Sequence, residues 1–279
     1  MAASIGRDEQ TPRDFYLALS ALHARYEQGT PAAPDDDLTA AELRVSSQNG
    51  EDGVLAEILR RTGTAARPYF VEFGTESGSQ ANCVFLADAR GWDGLFIEGS
   101  PEHHARLSAK YAPNPRVRTV NAMVFPENVE ALFADAGVPD EPDVVSIDVD
   151  GQDWWIWRAL ERYRPRVLVI EYNAGIPHDA LLAEPHGHAN AARGFTAYFG
   201  ASIGAMEALG RAKGYRLVHT ELTGANAFFV RDDLPGPWPD AERVARRGLN
   251  YGLRSTGHPA DPLGREYVDV STHLPQPSA

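Results

Sequence analysis

The residues best suited to chemistry are acids standing at the ends of apolar runs. Residues 143–150, DVVSIDVD, finish in Asp148 and Asp150 with Asp153 close behind, and residues 166–173, RVLVIEYN, finish in Glu171 and Asn173. Side chains so rich in oxygen, brought to neighbouring strand tips, suit a hard divalent cation such as Mg²⁺ or Mn²⁺, with Asp148, Asp150, Glu171 and Asn173 as candidate ligands. Packed together without a cation or a donor, the same acids repel one another. Two more carboxylates close apolar runs earlier in the chain: Glu72 in PYFVEFGTESGSQANC and Glu98 in GLFIEG. Gly74 and Gly78 follow Glu72 and allow a sharp turn with close approach to a ligand. The spacing Glu-x-Gly-x-x-x-Gly differs from the Gly-x-Gly-x-x-Gly of dinucleotide folds, so it favours a phosphate-free nucleoside over a phosphate cradle. The same stretch also serves as a bare strand-to-helix connection. An acid at the end of a second strand, as Glu98 would be, can accept from both ribose hydroxyls, each charge-assisted bond contributing about 1.5–3 kcal/mol. His178, His186 and His188 lie together in a polar stretch and are the candidate general bases, each also readable as a solvated loop residue.

These side chains need a frame of alternating strands and helices. Phe70, Val71 and Phe73 suit a strand buried on both faces, and the run at 92–98 suits another. Ser100-Pro101-Glu102 caps the next helix, residues 117–124 read as a third strand, and Val129, Leu132 and Phe133 mark the helix after it. The acid-tipped runs at 143–150 and 166–173 are the fourth and fifth strands, with a helix carrying Trp154, Trp155 and Trp157 between them. Residues 174–199 interrupt the alternation as a polar loop placed to cover the strand ends. A helix over 201–213 follows, and residues 215–222 and 226–231 flank Thr223-Gly224-Ala225 as an antiparallel hairpin.

Outside this frame, Thr11-Pro12-Arg13-Asp14 starts an amphipathic helix with Phe15, Leu19, Leu22 and Tyr26 on one face. A proline- and aspartate-rich linker over 28–37 separates it from the main body, so the helix docks on that body or mediates a homo-oligomer. Ser47-Gln48-Asn49-Gly50-Glu51-Asp52 leads into a helix with Val54, Leu55, Ile58 and Leu59 as its apolar stripe. The division is therefore an appendage and linker over 1–45, a main domain over 46–234 and an extension over 235–279, the last including a short helix at 241–247.

The 279 residues carry 26 Lys+Arg against 39 Asp+Glu, a formal net charge of -13. That balance, with no basic patch, argues against nucleic acid and anionic membranes as partners. One cysteine, Cys83, excludes a disulfide framework and suits a reducing cytoplasm. The charged first ten residues lack the apolar centre of a signal peptide, and no run is long enough to span a membrane.

Taken in order, SQNGED, FVEFGTESG, GLFIEG, SIDVDGQD, VIEYN, YFGAS and NAFFVRDDL together resemble the FkbM-like branch of class I S-adenosylmethionine-dependent methyltransferases. The resemblance covers about residues 46–234. It implies an α/β, Rossmann-like sheet of seven strands, six parallel and one antiparallel, with helices on both faces and the cofactor across the carboxyl ends of the first strands. Carried over, Glu72, Gly74 and Gly78, with Ser77 as a donor, match the loop that holds the methionine part, Glu98 matches the acid on the ribose, and Asn121 stands where adenine is contacted. Asp148 matches the residue beside the sulfonium, and Gln48 and Glu51 in the polar leader lie over the amino-acid end. The implied activity is methyl transfer, most simply to a hydroxyl of a small molecule or sugar. Another alkyl transfer or ring closure from the same sulfonium, and a binding module without turnover, are the competing readings.

Overall fold

The computed structural model describes residues 12–29, 31–187, 196–244 and 259–275. In chain order the elements are α1 (Pro12–Gln28), α2 (Glu51–Thr62), β1 (Tyr69–Phe73), α3 (Val84–Asp88), β2 (Asp93–Glu98), α4 (Pro101–Tyr111), β3 (Val117–Asn121) and α5 (Val129–Ala136). There follow β4 (Val144–Ile147), α6 (Asp153–Ala159), β5 (Val167–Glu171), β6 (Leu182–Ala183), α7 (Ile203–Lys213), β7 (Tyr215–Thr220), β8 (Asn226–Arg231) and β9 (Val268–Asp269).

The strands are apolar on both sides because helices cover both sides. Val71, Phe73, Val145, Ile147, Leu168 and Ile170 pack with Trp154, Ile156 and Trp157 of α6 on one face. Phe70, Phe96, Val144, Val167 and Val169 pack with Val54, Leu55, Ile58 and Leu59 of α2 on the other. The seven-stranded sheet runs β3-β2-β1-β4-β5-β8-β7. Neighbours from β3 through β5 are parallel, whereas β8 is antiparallel to both β5 and β7. Six strands thus run in one sense and one is reversed, the arrangement that the resemblance implies. Strand order reverses at β1, which lies between β2 and β4, and in an open α/β sheet that is where a crevice opens beyond the carboxyl ends.

Several elements end sooner than the sequence pattern predicts. The third, fourth and fifth strands stop at Asn121, Ile147 and Glu171, so Asp148, Asp150 and Asn173 belong to the following loops. Asp150 has φ 60, a left-handed conformation that breaks the extended chain. β7 ends at Thr220, α7 starts at Ile203 because Ser202 caps it, and the expected helix at 241–247 is a single 3₁₀ turn, Ala241–Arg243, within the described residues.

The appendages are fastened down. Leu22 of α1 is buried against Phe85, on which Tyr26 stacks at 5.5 Å, while Phe15, Tyr16 and Leu17 stay exposed. The buried Arg61 guanidinium donates to the carbonyls of Pro34 (3.0 Å), Asp35 (3.2 Å) and Pro237 (2.7 Å), pinning the linker and the start of the C-terminal extension to α2. The described part of the polar insertion after β5 is also tied to the body. β6 pairs with β9, and Trp155 and Gln152 donate to the carbonyls of Glu184 (2.7 Å) and Pro185 (3.1 Å). No described helix is long and apolar enough to cross a membrane.

Candidate functional site

Side chains alternate between the faces of a strand, and this alternation decides which polar groups meet. Phe70, Phe96, Val144, Val169 and Phe228 all face α2. Two residues beyond the first four stand Glu72, Glu98, Ser146 and Glu171, and two before Phe228 stands Asn226, which pairs with Glu171 across the antiparallel strands. A row of three acids, a hydroxyl and an amide therefore lies along one face of the carboxyl edge.

Glu72 is buried, and its two oxygens accept the backbone N–H groups of Asn82 (2.7 Å) and Cys83 (2.8 Å). Asn82 in turn donates through its side chain to Ser146 Oγ at 3.0 Å. Burial pushes the Glu72 carboxyl up to about 7, against the pull of those N–H donors. With both oxygens engaged, Glu72 holds the start of the following helix against the end of β1.

The loop after β1 needs its glycines. Gly74 has φ 77, and an ideal Cβ there would lie 1.6 Å from the carbonyl oxygen of Asp148. At Gly78, φ 69, a Cβ would meet Leu107 Cδ1 at 2.6 Å. Between them the Thr75 hydroxyl is buried with no hydrogen-bond partner. The Ser77 and Ser79 hydroxyls are exposed and 3.0 Å apart.

Glu98 accepts from Ser100 N at 2.7 Å through Oε1. Asn121 donates to the carbonyls of Glu98 (2.7 Å) and Gly99 (3.3 Å), tying the ends of β2 and β3 together. Met123 is exposed beside them, its Sδ only 2.2 Å from where a Gly99 Cβ would stand.

The polar leader reaches this edge. Asp52 accepts the N–H groups of Val45, Ser46 and Ser47 at 2.7–2.8 Å and both serine hydroxyls, curling the leader around its own carboxylate. Ala81 N donates to Ser46 O at 3.1 Å, which joins the leader to the loop after β1. Glu51, buried in the first turn of α2, accepts from Asn49 N (2.8 Å) and from Asn226 Nδ2 (2.9 Å), while Gln48 is exposed. The positive end of α2 favours both acids there.

Beyond β4 and β5, one carboxylate oxygen each from Asp148, Asp150 and Glu171 lie within 4.8 Å of one another. Asp153 stands outside this group: it accepts from Val149 N (2.9 Å) and Gly151 N (2.8 Å), closing the turn that brings Asp150 round. Burial pushes its carboxyl up to about 6.

The expected alignment of Asn173 with Glu171 does not occur, because β5 has already ended. Asn173 Nδ2 is shared among Ala197 O (3.0 Å), Phe199 O (2.9 Å) and Tyr267 Oη (3.1 Å), and its Oδ1 accepts from Gly175 N at 2.8 Å. It anchors the return of the insertion and the C-terminal segment. The histidines also lie apart. His186 pairs with Glu127 at 3.1 Å and sits edge-on to Trp155, His178 is exposed, and no described histidine joins the acid group. His188 is outside the described residues. Thr75 and Asn226 escaped the sequence reading although both lie in quoted motifs, Thr75 directly after Gly74 and Asn226 opening NAFFVRDDL.

No family model and no curated protein matches the chain. Solved structures do. One is the N-terminal domain of EvdMO1 with SAH bound, at 15% identity over 62% of this chain and 75% of that one, TM-score 0.39. Another is the CMeT domain of citrinin polyketide synthase, at 11% identity over 66% of this chain and 52% of that one, TM-score 0.44. A third is TrmK of M. capricolum in complex with SAH, at 9% identity over 64% and 66%, TM-score 0.38. Similarity this distant adds nothing to the geometry of the site, on which the reading below stands.

Proposed function

We propose that the chain is an S-adenosylmethionine-dependent methyltransferase of the FkbM-like branch, acting on a hydroxyl of a small molecule or sugar. The observation that carries this reading is the close approach of Gly74 to Asp148 at the β1 switch point, the place where open α/β sheets bind ligands. Gly74 there abuts the Asp148 backbone with no space for a side chain, and Glu98 closes the neighbouring strand on the same side. A nucleoside fits such an edge, where Glu98 would accept from ribose hydroxyls and Asn121 and Met123 would border the base. The buried, unpartnered Thr75 hydroxyl and the leader with Gln48 and Glu51 would face the amino-acid end. When bound, S-adenosylmethionine supplies a methyl group on a sulfonium, ready for displacement by an oxygen nucleophile.

The chain must then align the acceptor and take its proton, with reacting atoms about 3–3.5 Å apart. Asp148 would take the proton, a role supported by its backbone bordering Gly74 and its carboxylate lying near Asp150 and Glu171. So acidic a rim disfavours an anionic acceptor and favours a neutral hydroxyl or a cationic molecule.

The test uses S-adenosylmethionine labelled in its methyl carbon, incubated with the protein and a panel of neutral hydroxylated metabolites. The reading predicts a product carrying the label on oxygen, formed together with S-adenosylhomocysteine. Consumption of the cofactor without transfer of the label would instead favour a different alkyl transfer.

A further inference from the structure

Asn226 opens β8 directly opposite Glu171. The next pair along, Tyr172 and Ala225, is joined by Tyr172 N donating to Ala225 O at 3.0 Å. Glu171 and Asn226 are therefore a non-hydrogen-bonded pair, the type whose side chains approach most closely across antiparallel strands. Asn226 is 6% exposed, and its amide is oriented by the bond from Nδ2 to Glu51 Oε1 at 2.9 Å. That bond turns Oδ1 away from Glu51, and this buried oxygen has no hydrogen-bond partner.

A buried amide oxygen opposite a carboxylate on the neighbouring strand calls for a cation or a donor. Oxygens on opposite sides of a Mg²⁺ or Ca²⁺ ion stand about 4–5 Å apart, so the Asp148, Asp150 and Glu171 oxygens, within 4.8 Å of one another, can share one centre. Asp150 reaches it through its left-handed backbone, φ 60, a conformation that costs energy in a residue other than glycine. We infer that Asp148, Asp150 and Glu171 bind one divalent cation and that Asn226, through Oδ1, supplies its neutral fourth oxygen. Asn173 takes no part in this site, because its amide is spent on residues 197–199, Gly175 and Tyr267. The inference deepens the acceptor half of the proposed function by giving the acid group a cation with which to orient a hydroxyl.

The test is Mn²⁺ binding to the full-length protein, without cofactor or acceptor, followed by electron paramagnetic resonance. Calorimetry with S-adenosylhomocysteine is run on every variant in parallel. One Mn²⁺ site is expected, weakened ~10-fold or more by Asn226→Ala, regained in Asn226→Asp and untouched by Glu98→Gln. Far-UV circular dichroism of Asn226→Ala should match that of the parent, which shows the variant is folded, and its S-adenosylhomocysteine affinity should fall less than its Mn²⁺ affinity, since on the cofactor side only Glu51 loses a partner. Absence of Mn²⁺ binding in a parent protein that binds S-adenosylhomocysteine would overturn the cation site and leave the methyltransferase reading standing. Unchanged Mn²⁺ affinity in folded Asn226→Ala would remove Asn226 from it. Failure of the parent to bind S-adenosylhomocysteine, with Mn²⁺ still bound, would count against the methyltransferase reading alone.

Discussion

Gly74 and Asp148 meet backbone to backbone: an ideal Cβ on Gly74 would stand 1.6 Å from the Asp148 carbonyl oxygen. The contact joins the end of β1 to the end of β4 across the point where strand order reverses, so it sets the spacing of the two strand ends there. Gly74→Ala must push these two strand ends apart and adopt φ 77 with a side chain present. We expect a loss of about 1–3 kcal/mol in chemical denaturation, together with loss of S-adenosylhomocysteine binding. A variant with parental stability and affinity would show that the contact is not required.

The Glu72 carboxyl lies above its ordinary value, at about 7 rather than 4.5, because it is buried. Between those values the folded protein holds this proton more tightly than the unfolded chain, so the contribution of Glu72 to stability falls as pH rises through the window. Glu72→Gln removes that dependence and leaves Asp153 titrating equally in both proteins. The stability gap between parent and variant should therefore narrow from pH 5 to pH 8, by on the order of 1–3 kcal/mol. A gap that widens with pH would mean that the N–H groups of Asn82 and Cys83 outweigh burial.

Tyr267 fastens the C-terminal segment to the loop after β5 and to residues 197–199. Its hydroxyl donates to Ala197 O (3.0 Å) and accepts from Phe199 N (3.2 Å) and Asn173 Nδ2 (3.1 Å). Tyr267→Phe leaves those groups short of a partner and should lower the stability by about 1–3 kcal/mol, read from thermal unfolding. S-adenosylhomocysteine affinity should hold, since the cofactor reading places that ligand over β1 and β2. A parallel fall in affinity would mean that the segment also shapes the cofactor crevice.

Much of this architecture is legible in the chain itself. Apolar runs such as Phe70–Phe73 and Val167–Ile170 announce buried strands because both of their faces are covered, and the acids that close them announce the carboxyl edge. The hairpin of β7 and β8 is visible because its turn is local. Contacts between distant segments leave no such trace. Nothing periodic in the sequence pairs Leu182–Ala183 with Val268–Asp269, or brings Tyr267 to Asn173. Asn173 reads as a ligand only if β5 runs two residues past Glu171, where it in fact ends. Asn226 carries no local signal because its orientation is set by Glu51, far away in the chain.

The central claim is that the edge formed by Gly74, Glu98 and Asp148 is a nucleoside site for S-adenosylmethionine. Glu98 is the most direct probe, since Oε1 accepts from Ser100 N and Oε2 remains for the ribose hydroxyls. Calorimetric titration of parent and Glu98→Ala protein with S-adenosylhomocysteine should show binding by the parent and a loss of roughly 10-fold or more in the variant. Equal affinity in the two proteins, or no binding by the parent, would contradict it.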